Sequence, residues 1–102
     1  MLTSDVYNLV RGSGIAQDHA FRDQIQRAVV SIAANIAEGA ERDKPREFAY
    51  FLRVAKASAG ELRSHLILAC DIGLCSATAA KRHQDELVQI GRMLGALIQR
   101  LV

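Results

Sequence analysis

Residues 27–42 read RAVVSIAANIAEGAER. Between Arg27 and the closing EGAER only Ser31 and Asn35 are polar, and the rest is Ala, Val or Ile. Apolar residues continue upstream at Phe21 and Ile25, then at Ala28, Val29, Ile32 and Ile36. These steps of three and four mark one face of a helix. The polar members Arg27, Ser31, Asn35, Glu38 and Arg42 keep the same rhythm, so they form a single line along that helix. With small apolar neighbours on both sides, the helix is expected to be enclosed over most of its circumference. A polar line on an enclosed helix must find partners, because an unpaired buried polar group costs a few kcal/mol. Two readings follow. Either Asn35 fixes the register between helices while Glu38 pairs with Arg42, or the line is a recognition row for a partner or a phosphate.

Working outward, Asp18 is placed to cap this helix, which ends near Gly39–Arg42. The next helix starts with Asp43 as its expected cap and with Pro45 in its first turn, where the missing N–H has no helical partner. Its buried face is read as Phe48, Phe51, Leu52, Ala55, Ala59, Leu62, Leu66 and Ala69, and Gly73 closes it as a terminal glycine. The last helix opens after Ser76 and carries Leu87, Ile90, Leu94, Leu97 and Leu101 in alternating steps of three and four, the pattern of bundle packing. Gly91 and Gly95 lie beside that seam. Each costs about 1 kcal/mol relative to Ala in a helix interior, so a close neighbouring backbone is the expected compensation. Before residue 12 there is only a short helix, starting at Ser4 or Asp5 and carrying Val6, Leu9 and Val10. The fold class is therefore all-α: an antiparallel up-and-down four-helix bundle in one domain, with a shortened first helix.

Composition agrees. Half of the 102 residues are hydrophobic, with no Trp and a single Pro, and no Asn-Gly or Asp-Gly hairpin signal occurs. The formal net charge of +2 is far from the dense basic footprint of a committed nucleic-acid binder. No apolar run approaches the ~20 residues that span a bilayer, and the N-terminus lacks the basic and apolar regions of a signal peptide. A cytoplasmic protein without membrane association is expected. Cys70 and Cys75 then read as free buried thiols.

The usual catalytic arrangements are missing. His19, His65 and His83 fall in different segments without zinc-ligand spacing, no glycine-rich phosphate loop is present, and Ser31 has no His one helical turn away. Neither enzyme nor cofactor is expected. His65 follows Glu61 by one turn and reads as a surface pair, as do Lys81 with Asp85 and Arg82 with Glu86. A second row, Arg46, Arg53, Lys56 and Arg63, runs along the third helix. It is either a solvated face or a line of cations that tracks a nucleic-acid backbone.

The stretch FRDQIQRAVVSIAANIAEGAER, followed by REFAYFLRVAKASAGELRSHLILACDIG, closely resembles a bacterial four-helix bundle family first noted as proteins encoded by intervening sequences in large-subunit ribosomal RNA genes. The likeness covers about residues 21–73, and its most specific element is QIQRAxxSIxxNIAEGxER. It implies an antiparallel bundle that associates as a ring-shaped homopentamer and is not an enzyme. A related branch, the accessory proteins of diversity-generating retroelements, implies RNA, DNA, a reverse transcriptase or another protein as partners. The signature positions coincide with the polar row, and the motif leaves open whether that row serves packing or binding. Two function classes are expected: an oligomeric nucleic-acid-binding adaptor, or a protein-interaction module without nucleic acid. A short first helix would also leave a hydrophobic groove along the bundle.

Overall fold

The computed structural model describes residues 1–102. Four helices occur in chain order: α1 (Leu2–Arg11), α2 (His19–Ala40), α3 (Pro45–Asp71) and α4 (Ala77–Leu101), with one 3-10 turn at Gly14–Gln17 between α1 and α2. The all-α expectation holds, and so does the short first helix, 10 residues long against 22, 27 and 25 for the others.

The helix ends follow local chemistry. Asp18 caps α2 by accepting from the Phe21 N–H at 3.1 Å, and Ser76 caps α4 by accepting from the Ala79 N–H at 3.1 Å. Each satisfies one of the donors that a helix start leaves unpaired. Beyond the end of α3, Gly73 adopts φ +83, and the Leu74 N–H reaches back to the Ala69 carbonyl at 2.9 Å. Glycine takes that left-handed conformation without a Cβ penalty. The start of α3 differs from expectation. Lys44, not Asp43, holds the cap position, and no side chain bonds there. The residue before a proline is pushed to extended backbone; Lys44 accordingly sits at φ −100, ψ 131, and Asp43 is one residue too far back to cap. The first helix begins at Leu2 rather than at Ser4 or Asp5.

The long α3 packs along both α2 and α4, whereas α1 lies between α2 and α4 on the opposite side. The molecule measures 43 × 20 × 19 Å. Ten residues of helix span only about 15 Å, so α1 completes the bundle at one end alone. That end holds the larger core, with Val6, Val10, Ile15, Ile25, Val29, Leu62, Leu66 and Leu87. A helix this short is marginal in isolation. It is held by burial of Val6 and Val10, each contributing about 1.5–3 kcal/mol. At the other end a smaller core of Ala49, Leu52, Ala55, Leu94 and Ile98 has Ile36, Leu97 and Leu101 packed around it, half-buried. A groove of about 260 Å³ passes Leu2 and runs between Val29, Ile32 and Ile36 of α2 and Ile90, Met93 and Leu94 of α4. This is the hydrophobic groove that a short first helix implies.

Three packing expectations fail. The second helix is not enclosed: Val30 is 46% exposed, and Ala33, Ala34, Ala37 and Ala40 face outward. Alanine is favoured in helices wherever it sits, so an Ala-rich helix need not be a buried one. Gly91 and Gly95 meet no neighbouring backbone; nothing lies within 4 Å of a Cβ built on Gly91, and only the Lys56 side chain approaches one on Gly95. The close approach is at Gly39 instead, where a Cβ would stand 2.8 Å from the Cβ of Phe51 and 2.8 Å from the Phe48 ring. Finally, Phe48 and Phe51 are half-buried rather than buried, and Ala49 and Ser58 join the buried face of α3.

Candidate nucleic-acid interface

The polar row divides into two contacts and one free side chain. Ser31 Oγ of α2 lies 2.8 Å from Ser58 Oγ of α3, a hydroxyl on a residue only 8% exposed. Asn35 Nδ2 donates to the Ser31 carbonyl at 2.8 Å and to Ser31 Oγ at 3.0 Å. The three side chains form one network in the α2–α3 seam, where an unpaired hydroxyl would cost about 1–3 kcal/mol. One turn further, Glu38 and Arg42 form an ion pair at 2.6 Å, and the Arg42 guanidinium lies 4.8 Å above the Phe51 ring of α3. The first contact links the helices through hydrogen bonds, and the second links them through a cation over an aromatic face. Arg27 is exposed and takes no part in either. Periodicity does not single out Ser58, because a serine on a helix gives no sign that it is buried.

The second row stands on open surface. Arg46, Arg53, Lys56 and Arg63 are all exposed. The ion pairs of the molecule join Asp5, Asp23, Glu38, Asp85 and Glu86 to other cations, and none involves these four. Arg53 and Lys56 line an open groove of about 980 Å³ between α3 and α4, together with Arg92, Gln99, Gly91 and Gly95. No acidic side chain lines it. Periodicity within α3 could not bring in Arg92, because that residue arrives on a different helix. Gly91 and Gly95 both line this groove, and the Lys56 ammonium rests 3.3 Å from the position that a Gly95 Cβ would occupy.

The remaining polar groups are dispersed. Glu61 and His65 form no ion pair; the imidazole is half-buried edge-on to Phe21, with centroids 6.4 Å apart, and its Nδ1 lacks a partner. His65 points across to α2 because it lies on the α3 flank shared with Ser58. Lys81 with Asp85 and Arg82 with Glu86 do pair on the surface, and Arg82 also reaches Asp5 of α1 at 3.2 Å. Cys70 and Cys75 are free and half-buried, not buried, with their sulfurs 3.1 Å apart across the α3–α4 turn. Desolvation, followed by the hydrogen bond and charge of Cys70, pushes the Cys75 thiol up to about 12. No three His, Cys, Asp or Glu side chains gather as a metal ion requires, and no helix is long and apolar enough to cross a membrane.

The family model for the 23S rRNA-intervening sequence protein matches residues 1–96. The chain belongs to this family. Among solved structures, this intervening-sequence protein is similar to a crystal structure of a protein with unknown function from the S23 ribosomal protein family of Bacteroides thetaiotaomicron. The two share 17% sequence identity at a TM-score of 0.73, over 96% of this chain and 98% of that one. At that identity the likeness carries the fold of the intervening-sequence protein and nothing of its chemistry. No curated protein matches it.

Proposed function

We propose that this protein is a non-catalytic, cytoplasmic adaptor that self-associates, as the ring-shaped homopentamer implied by its resemblance, and binds RNA or DNA. The observation that carries the nucleic-acid part is the basic surface of α3 and α4: Arg46, Arg53, Lys56 and Arg63 are exposed and unpaired, and two of them share an acid-free groove with Arg92. A cation already paired with a carboxylate gains little from a phosphate, whereas a free one releases counterions from the nucleic acid. Repetition around an oligomer multiplies a patch that is modest on one chain. Titration of labelled RNA and DNA at low salt tests the proposal. Arg46→Glu with Arg53→Glu is expected to weaken binding and to flatten the slope of log K against log salt by about one for each phosphate that is no longer neutralised. Binding that is absent, or indifferent to both reversals, overturns it. For self-association, light scattering that returned a particle of 11.1 kDa at micromolar concentration would be decisive against it.

A second reading has its own observation. The groove between α2 and α4 is lined almost entirely by apolar side chains, which suits a protein-interaction module whose partner is another protein, such as a reverse transcriptase, with no nucleic-acid role. Met93→Glu in that groove is expected to abolish such an association, and under this reading neither the variant nor the wild type binds RNA or DNA at low salt.

A further inference from the structure

Tyr50 is the one aromatic side chain that the bundle leaves largely in water, 59% exposed. It stands on the outer face of α3 between two cations: Arg46 lies one helical turn before it and Arg53 one turn after, within about 5–6 Å along the axis. Its ring has one aromatic neighbour. Phe51 meets it edge to face, with centroids 5.2 Å apart and planes at 81°, and Phe51 is itself covered by the Arg42 guanidinium at 4.8 Å. Arg42, Phe51 and Tyr50 thus form a row of contacts with the tyrosine at its outer end. The shallow depression beside it, about 340 Å³, is lined by Arg42, Arg46, Glu47, Tyr50 and Phe51. Glu47 places a negative charge in that depression, whereas the α3–α4 groove that holds Arg53, Lys56 and Arg92 has no carboxylate in its lining.

We infer that this face binds single-stranded nucleic acid, one base stacking on Tyr50 and the adjoining phosphates lying on Arg46, Arg53, Lys56 and Arg92. The inference rests on the nucleic-acid reading above and narrows it. Basic grooves flanked by an exposed aromatic platform suit single strands, because every unpaired base has a face to stack. A duplex keeps its bases stacked on one another and could use only the cations. The tyrosine and its two flanking arginines together distinguish the strands; the arginines alone do not.

The test measures anisotropy of the full-length protein with labelled single-stranded RNA, single-stranded DNA, their duplexes, and a single strand of the same length without bases. Single strands are expected to bind more tightly than duplexes or the baseless strand. Tyr50→Ala is expected to lower single-strand affinity about 5- to 150-fold, the ~1–3 kcal/mol of one stacked base, with duplex affinity unchanged. Tyr50→Trp should restore the affinity, which a merely structural tyrosine would not require. Arg53→Glu should weaken both forms. If Tyr50→Ala binds single strands as wild type does, or the baseless strand binds equally well, the inference fails while the broader nucleic-acid reading stands. If no form binds at low salt, both fail.

Discussion

At Gly39 the helices α2 and α3 approach too closely for a Cβ to fit without a shift, and replacing it with Ala sets two effects of known sign against each other. A methyl group in place of hydrogen favours the helical backbone by about 0.4–1 kcal/mol. The same methyl would lie 2.8 Å from the Phe51 Cβ, 2.8 Å from the Phe48 ring and 3.3 Å from the Phe48 carbonyl oxygen. The Phe48 ring can swing away, but the Phe51 Cβ moves only with the α3 backbone, so the clash is relieved by separating the helices. Overpacking of this kind costs about 1–3 kcal/mol. The clash prevails, with Gly39→Ala destabilising the fold by about 1–2 kcal/mol and lowering Tm by roughly 5–15 °C, since 1 kcal/mol shifts a domain of this size by about 4–8 °C. Gly60→Ala is the matched control. It lies within α3 with nothing within 4 Å of its would-be Cβ, so only the backbone effect remains and Tm should rise by about 2–8 °C. Thermal melts followed by far-UV circular dichroism on both variants and wild type decide the matter. A Gly39→Ala protein melting at or above wild type would show that the α2–α3 approach is not as close as argued.

Ser31→Ala strands the buried Ser58 hydroxyl and should cost about 1–3 kcal/mol in urea unfolding, whereas Ser31→Ala with Ser58→Ala removes both partners and should recover most of it; a double variant as unstable as the two single variants combined would contradict the network. The Cys75 thiol titrates at about 12 in the fold against an ordinary 9.0, so the native state holds that proton more tightly than the unfolded chain does. Its contribution is complete below about pH 8 and is lost as the pH rises from about 9 toward 12. Cys75→Ala should therefore flatten the alkaline part of the stability profile and leave neutral pH unaffected by titration; parallel profiles across that range would refute it. Arg42→Ala should cost about 0.7–1.5 kcal/mol by removing both the Glu38 pair and the cation over Phe51, while Glu38→Gln, which removes the ion pair alone, should cost under about 0.5 kcal/mol. Equal effects in chemical denaturation would show that the aromatic contact contributes nothing.

Much of this protein follows from properties a helix has by itself. The steps of three and four in residues 21–36, the caps Asp18 and Ser76, and the left-handed Gly73 determine where helices run and stop, because hydrogen bonding and side-chain direction act within a turn or two. Short loops then leave the up-and-down bundle as the natural arrangement. What periodicity states is an angle about a helix's own axis, not which neighbour lies across it. For that reason Gly39 and Gly91 are equivalent in sequence, yet one touches Phe51 and the other lines an open groove. One polar row likewise splits in space into the Ser31–Asn35–Ser58 network and the Arg42–Phe51 contact, and the apolar neighbours that suggested an enclosed α2 include Ala33, Ala34, Ala37 and Ala40, which lie in solvent. Arg92 joins Arg53 and Lys56 only once α4 lies against α3, and Arg42 covers Phe51 only once α2 and α3 pack together. The tertiary structure decided these points, because each depends on a distance between side chains from different helices.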